Sequence, residues 1–205
     1  MAKKSQPSGR QILAAAGAAA AYYVFLRPQL LKWHTHPSVA EHPLPGDEVI
    51  TQPNLQLTQA IGIDAPADAI WPWLAQMGRE RSGYYVCDWL VNHGVPSMGF
   101  VRRDMPSPEA GMSMDGGFHV IQAEPSNVLL FGAFSVNRWI ATVDTTSLYV
   151  LKPREHGGTW LIMRQREYAF GLMRQIYSLL MEPVYALGMH QQLARLKALS
   201  ERSMS

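Results

Sequence analysis

The chain is short of cysteine, short of charge, and free of any repeating proline or glycine pattern. Cys87 is the single cysteine and can form no internal disulfide, and no cysteine and histidine group has zinc-site spacing. A disulfide-framed scaffold and a zinc-held domain are both excluded. Charged residues make up 17% of the 205 positions, below the roughly 25% ordinary in soluble domains. With 47% apolar residues, the chain has too much to bury for intrinsic disorder. Fourteen prolines and sixteen glycines recur without a period, which removes collagen-like readings. The net charge of +2 hides an asymmetry: residues 1–45 carry five basic residues against Glu41, a net +4, so the remainder is −2. No basic face is left on the body for nucleic acid, since Arg102, Arg103, Arg164 and Arg166 are too few. There is also no phosphate-cradling glycine loop, nucleophile elbow or paired-carboxylate motif.

What is present divides the chain into three parts. Residues 1–32 contain Ile12–Leu26, an alanine-rich run of fifteen uncharged residues flanked by Arg10, Arg27 and Lys32. As a helix it is about 22 Å long, against a hydrocarbon core of roughly 30 Å. A signal peptide, a buried helix and a membrane anchor all compete for it. Tyr22, Tyr23 and Trp33 as interface aromatics favour a single-pass anchor, and membrane association through residues 12–26 is the expectation. Residues 33–54, with Pro37, Pro43, Pro45, Gly46 and Pro53, read as a proline-rich linker. Its His34, His36 and His42 read as solvated side chains, and neither a metal nor a cofactor is expected.

Residues 55–201 read as one domain. Leu55, Leu57, Ile61 and Ile63 alternate with smaller or polar residues in the period of a half-buried strand. Asp64 is placed to cap a short helix over Ala67–Gln76, and Asp88 to cap a second over Asp88–Asn92. Pro125-Ser126-Asn127 and Gly157-Gly158 punctuate strand pairs, which predicts antiparallel hairpins. Met173, Ile176, Leu180, Val184 and Leu187 recur at helical spacing, with Pro183 predicting a kink or break near Met181-Glu182. Strand, two short helices, antiparallel strands and a long final helix make an α+β domain, a curved sheet wrapped around one helix.

Ile61-Gly62-Ile63-Asp64-Ala65-Pro66, the run Trp71-Pro72-Trp73-Leu74-Ala75-Gln76-Met77-Gly78, Gly83-Tyr84-Tyr85 and Asp88-Trp89-Leu90 resemble bacterial SRPBCC proteins of the START-like, helix-grip superfamily. Leu44-Pro45-Gly46-Asp47-Glu48 and Glu182-Pro183 share the resemblance, which spans roughly Trp33 to Glu201. It implies a deep apolar cavity between the sheet and the long helix. It carries no catalytic motif, because the superfamily includes lipid carriers, receptors and polyketide cyclases or dehydrases.

General acid or base candidates are Asp88, His93, His119 and the Tyr84/Tyr85 pair. Each has a plainer reading: a cap for Asp88, a solvated or structural strand residue for His119. Arg164 and Arg166 are able to meet an anionic headgroup, but cross-strand pairing is the stronger reading. Cys87 has no neighbouring cation to activate it. Cavity-lining candidates are Trp73, Tyr84, Tyr85, Trp89, Phe118, Phe131, Phe134, Arg164, Tyr177 and Met181, with Trp139 and Met173 as further apolar supply. Three functions remain open: a carrier or sensor for a hydrophobic small molecule or lipid, a polyketide cyclase-like enzyme, and an interaction module with a filled cavity.

Overall fold

The computed structural model describes residues 8–27, 42–115, 117–138 and 140–204. Trp33, His34, His36, Gly116 and Trp139 lie outside the described residues. The elements in order are α1 (Gly9–Ala21), β1 (Leu55–Ile63), α2 (Ala67–Ala75), α3 (Asp88–Val91), β2 (Ser113–Asp115), β3 (Phe118–Glu124), β4 (Val128–Arg138), β5 (Ala141–Pro153), β6 (Thr159–Phe170) and α4 (Arg174–Arg202).

The six strands form one antiparallel sheet in the order β1-β6-β5-β4-β3-β2. Sequential neighbours pair through short turns, and β1 closes the far edge against β6 with Leu55 opposite Glu167 and Ile63 opposite Thr159. Gly158 makes the β5–β6 turn possible. Its φ is +76° and a Cβ there would sit 2.4 Å from the Ile63 carbonyl oxygen. A bulge between Ala133 and Val136, with Ser135 at φ 54°, adds the extra residue that bends β4. α4 lies across the concave face. Leu57, Trp73, Leu74, Met77, Tyr85, Phe131, Tyr149, Leu161, Met163, Met189, Leu193 and Leu196 form the main core there. This is an α+β, helix-grip arrangement, read from strand order and the helix across the sheet.

The convex face has its own cover. Leu44 packs with Ala60, Val128, Leu130, Leu148, Val150 and Ile162 in a second core. Residues 42–50, read from sequence as linker, are therefore a strap belonging to the domain. Gly46, at φ +82°, lets the strap lie directly on the sheet, since a Cβ would meet Leu130 Cδ2 at 2.3 Å. Asp47 fixes it by pairing with Arg164 Nη1 at 2.5 Å and Arg166 Nη1 at 2.9 Å. The two guanidiniums also donate to the carbonyls of His42 and Ile50.

Three further expectations change. No helix among the described residues is long and apolar enough to cross a membrane, so the single-pass anchor over residues 12–26 is not supported. α1 is alanine-rich and spans 13 residues before a five-residue π-turn, Tyr22–Leu26. Tyr22 and Arg27 then donate to the Glu182 carboxylate of α4, at 3.4 and 2.6 Å, which places the end of this segment against the domain. Neither Asp64 nor Asp88 caps a helix: the N-caps are Pro66 and Cys87, without side-chain bonds. Finally, α4 runs unbroken through Pro183.

Candidate functional site

The concave face is apolar at the end near α2 and polar at the other. Inward-pointing positions of β6 run Leu161, Met163, Gln165, Glu167 and Ala169, and β5 answers with Leu151, Tyr149, Ser147, Thr145 and Val143. Buried polar groups must find partners, and in this strip nearly all do. Ser147 donates to Gln165 Oε1 and Gln165 Nε2 to Thr145 Oγ1, both at 2.5 Å. Gln59 Nε2 donates to the Ala186 carbonyl at 2.8 Å, tying β1 to the middle of α4. Tyr149 donates to Gln192 Oε1 at 2.8 Å, and burial raises the Tyr149 acid range while that bond opposes the rise.

Glu167 is the exception. It is 1% exposed. Its Oε2 accepts from the Tyr185 hydroxyl at 2.8 Å, while Oε1 has no hydrogen-bond partner. Tyr185 in turn lies 3.4 Å, hydroxyl to hydroxyl, from Tyr177. Each tyrosine has one proton, and Tyr185 spends its own on Glu167, so the chain runs Tyr177 to Tyr185 to Glu167 Oε2. The surroundings are apolar: Leu55 faces Glu167 across β1, and Val143, Ala169 and Tyr177 form an adjoining buried cluster that Met181 covers. Burial pushes the Glu167 carboxyl above its ordinary range, against the opposing pull of Tyr185, Arg138 and Tyr177. Burial and the Glu167 charge likewise push Tyr185 upward.

The residues proposed from sequence fall into four places. Trp73, Tyr84, Tyr85, Phe118 and Phe131 come together in the apolar end: Trp73 meets Tyr85 edge-on at 6.2 Å between ring centroids, and Phe131 contacts both Tyr84 and Phe118. Here a second buried group, Trp73 Nε1, is also without a partner. Tyr177 and Met181 stand at the polar end beside Glu167. Trp89, 75% exposed, and Phe134 point to solvent. The parity of β4 explains Phe134, which alternates with the inward Phe131 and Ala133. Arg164 is 2% exposed but on the convex face, held by Asp47, so it does not line the interior.

Of the acid–base candidates, His93 and His119 are exposed. Tyr85 is buried and its acid range is pushed up to about 12, chiefly by burial. Asp88 holds a loop in place: it accepts from Ser97, Asn92 and Arg195, the last at 2.9 Å. Burial works against its charge, but the Ser97 and Arg195 bonds outweigh it and hold the carboxyl below its ordinary range. Sequence reasoning missed Glu167 and Tyr185. The available signal was parity, because Glu167 shares its strand face with Leu161 and Met163.

Two surface clefts are described, one of about 390 Å³ beside Asp64–Ala67, Ser126 and Thr159, the other of about 180 Å³ beside Trp71, Arg81, Arg102 and Met105. Neither opens between the sheet and α4. Among the described residues, no group of histidines, cysteines or acids could hold a metal ion.

No family model matches the sequence, and no curated protein matches it either. Among solved structures, the chain is similar to the di-domain aromatase/cyclase StfQ of the steffimycin pathway, with TM-score 0.49, 12% identity, and 73% of this chain and 51% of that chain covered. It is also similar to the Zhui aromatase/cyclase of Streptomyces sp. R1128, with TM-score 0.47, 13% identity and coverages of 74% and 96%. A third, protein NE0264 of Nitrosomonas europaea, has TM-score 0.46, 14% identity and coverages of 79% and 99%. Likeness this distant does not extend to activity.

Proposed function

We propose that the domain binds a hydrophobic small molecule between the concave sheet and the first half of α4, with the Glu167–Tyr185–Tyr177 cluster at its polar end. The observation that carries this reading is the buried Glu167 Oε1, left without a hydrogen-bond partner at the polar end of the concave face. A buried polar atom of that kind costs about 1–3 kcal/mol, and a ligand group that reached it would recover that cost. Apolar burial of the rest of the ligand adds roughly 25 cal/mol per Å² before ordering costs. Neither described cleft opens onto this space, and access is through movement of the first half of α4, which Pro183 weakens by leaving the Leu179 carbonyl without its helical donor. The alternative of a polyketide cyclase-like enzyme gains from the same carboxyl, which is the kind of group that exchanges protons with a bound substrate.

The test is a titration with Nile red, an uncharged probe whose emission rises in apolar surroundings. Wild-type protein is expected to take up the probe. Met181→Trp, which adds bulk beneath the first half of α4, is expected to weaken uptake at least about tenfold, a loss of roughly 1.4 kcal/mol. No uptake by wild type, or equal uptake by the variant, would overturn the reading.

A further inference from the structure

Resting on the reading above, we infer that Glu167 presents a carboxylic-acid proton on Oε1 to the carbonyl oxygen of an uncharged ligand, which makes the site selective for apolar ketones, esters or amides over fatty acids and amines. The argument starts from the direction of the hydrogen bonds. Tyr185 donates to Oε2, and Tyr177 lies against the Tyr185 hydroxyl and also acts on Glu167, so both hydroxyls are engaged within the cluster. Thr145 and Ser147 beside it are engaged with Gln165. Thr145 accepts from Gln165 and keeps its own proton, and Glu167 Oε1 is the carboxyl oxygen left open beside it. With Oε2 accepting from Tyr185, the proton of a neutral carboxyl belongs on Oε1, and Oε1 then becomes a donor aimed at whatever enters.

The electrostatics agree. Leu55 and Thr145 flank Glu167 across the two neighbouring strands, and neither carries charge. The titratable groups that act on it are Tyr177 and Tyr185 from α4 and Arg138 from the end of β4, and their pull is smaller than the effect of burial. An ionised Glu167 would instead reject a fatty acid by like charge and favour an amine. A neutral one also disfavours a fatty acid, whose ionised headgroup would be desolvated with a single donor as compensation. Both states exclude the acid. The choice between carbonyl and amine is what the proton decides.

Competition against Nile red separates the cases, using methyl undecyl ketone, tridecane, lauric acid and laurylamine in mildly acidic and in alkaline buffer. In acid, the ketone is expected to displace the probe about tenfold better than tridecane, the worth of one net hydrogen bond. In alkali, as Glu167 ionises, that advantage should vanish. Glu167→Gln keeps a donor and loses the titration, so its ketone preference should hold in both buffers. Glu167→Met keeps the apolar volume and should bind ketone and alkane alike. In acid, equal displacement by ketone and tridecane, or preference for laurylamine, would overturn the inference while leaving the binding reading intact. No probe uptake at all removes both. Infrared difference spectra of wild type minus Glu167→Gln, without ligand, give an independent result: a carboxylic-acid carbonyl band in the mildly acidic buffer is expected, and a carboxylate band alone there would overturn the inference.

Discussion

Between Gly188 and Arg202, α4 buries Met189, Gln192, Leu193, Leu196 and Ser200, while between Arg174 and Leu187 it buries only Tyr177, Glu182 and Ala186. The first half also leaves Ile176, Leu179, Leu180, Val184 and Leu187 exposed. Polar fastening follows the same division. The second half is tied down by Gln192 to Tyr149 and Tyr84, by Arg195 to Asp88, by Lys197 to the Gly62 carbonyl at 2.7 Å, and by Glu201 to the Asp64 amide at 2.9 Å. The first half holds to the sheet through Tyr185 to Glu167 and through Gln59 to the Ala186 carbonyl, and to the amino-terminal segment through Glu182 and Arg27. One continuous helix is thus half pillar and half cover. The cover lies over the carboxyl, and the pillar over the apolar aromatic core. Segments with few buried contacts open first, so the polar end of the interior is the end that can be reached.

The comparison is most severely tested by truncating side chains on either half. Leu196→Ala, at a fully buried position, should destabilise the domain by about 2–5 kcal/mol in urea unfolding. Leu180→Ala, on the exposed side of the first half, should stay within about 0.5 kcal/mol of the parent. Similar losses at both positions would erase the distinction. Pro183→Ala should sharpen it from the other side, since it restores a donor to the Leu179 carbonyl. A gain of about 1 kcal/mol is expected, together with slower release of Nile red in stopped flow. Amide exchange gives the same contrast residue by residue: amides at 176–182 should exchange faster than those at 190–196, and Pro183→Ala should narrow the gap.

A smaller effect concerns pH. The folded state favours neutral Glu167, whereas the unfolded chain ionises it near its ordinary value of 4.5. The unfolded state therefore binds fewer protons over this window, and wild-type stability should fall as pH rises from that value through the raised folded-state range. Glu167→Gln removes this dependence. Its melting temperature should draw ahead of wild type with rising pH and then level off. A constant difference across the window would mean that the carboxyl is ionised in the fold.

Much of this architecture was legible beforehand. Turn chemistry at Pro125-Ser126-Asn127 and Gly157-Gly158 marked the hairpins, and the spacing from Met173 to Leu199 marked α4, because local geometry depends on local residues. The site was less legible. β6 is covered on both faces, so its two parities, one with Glu167 and one with Arg164, both mix apolar and polar residues. Sequence alone gave no reason to prefer either, and the more strongly charged parity drew attention to the convex face. The same cause hid the strap: Leu44 and Val49 are sparse apolar residues in a proline-rich stretch, and only the sheet they cover explains them. The alanine-rich run over residues 12–26 misled for another reason, since absence of charge is necessary for a membrane span but does not make one.

The strap also has a place in time. Asp47 and Arg164 are 117 residues apart in sequence, so their pairing closes nearly the whole domain into one loop. Loop closure of that length is entropically late, and contacts of high sequence separation slow folding. Until β6 has joined the sheet, Asp47 has no guanidinium to meet and Leu44 only part of its surface to cover. Docking of the strap should thus follow the rate-limiting barrier. Leu44→Ala would then speed unfolding while leaving the folding rate close to that of the parent, and chevron analysis would show the convex face sealing only after the concave one has formed.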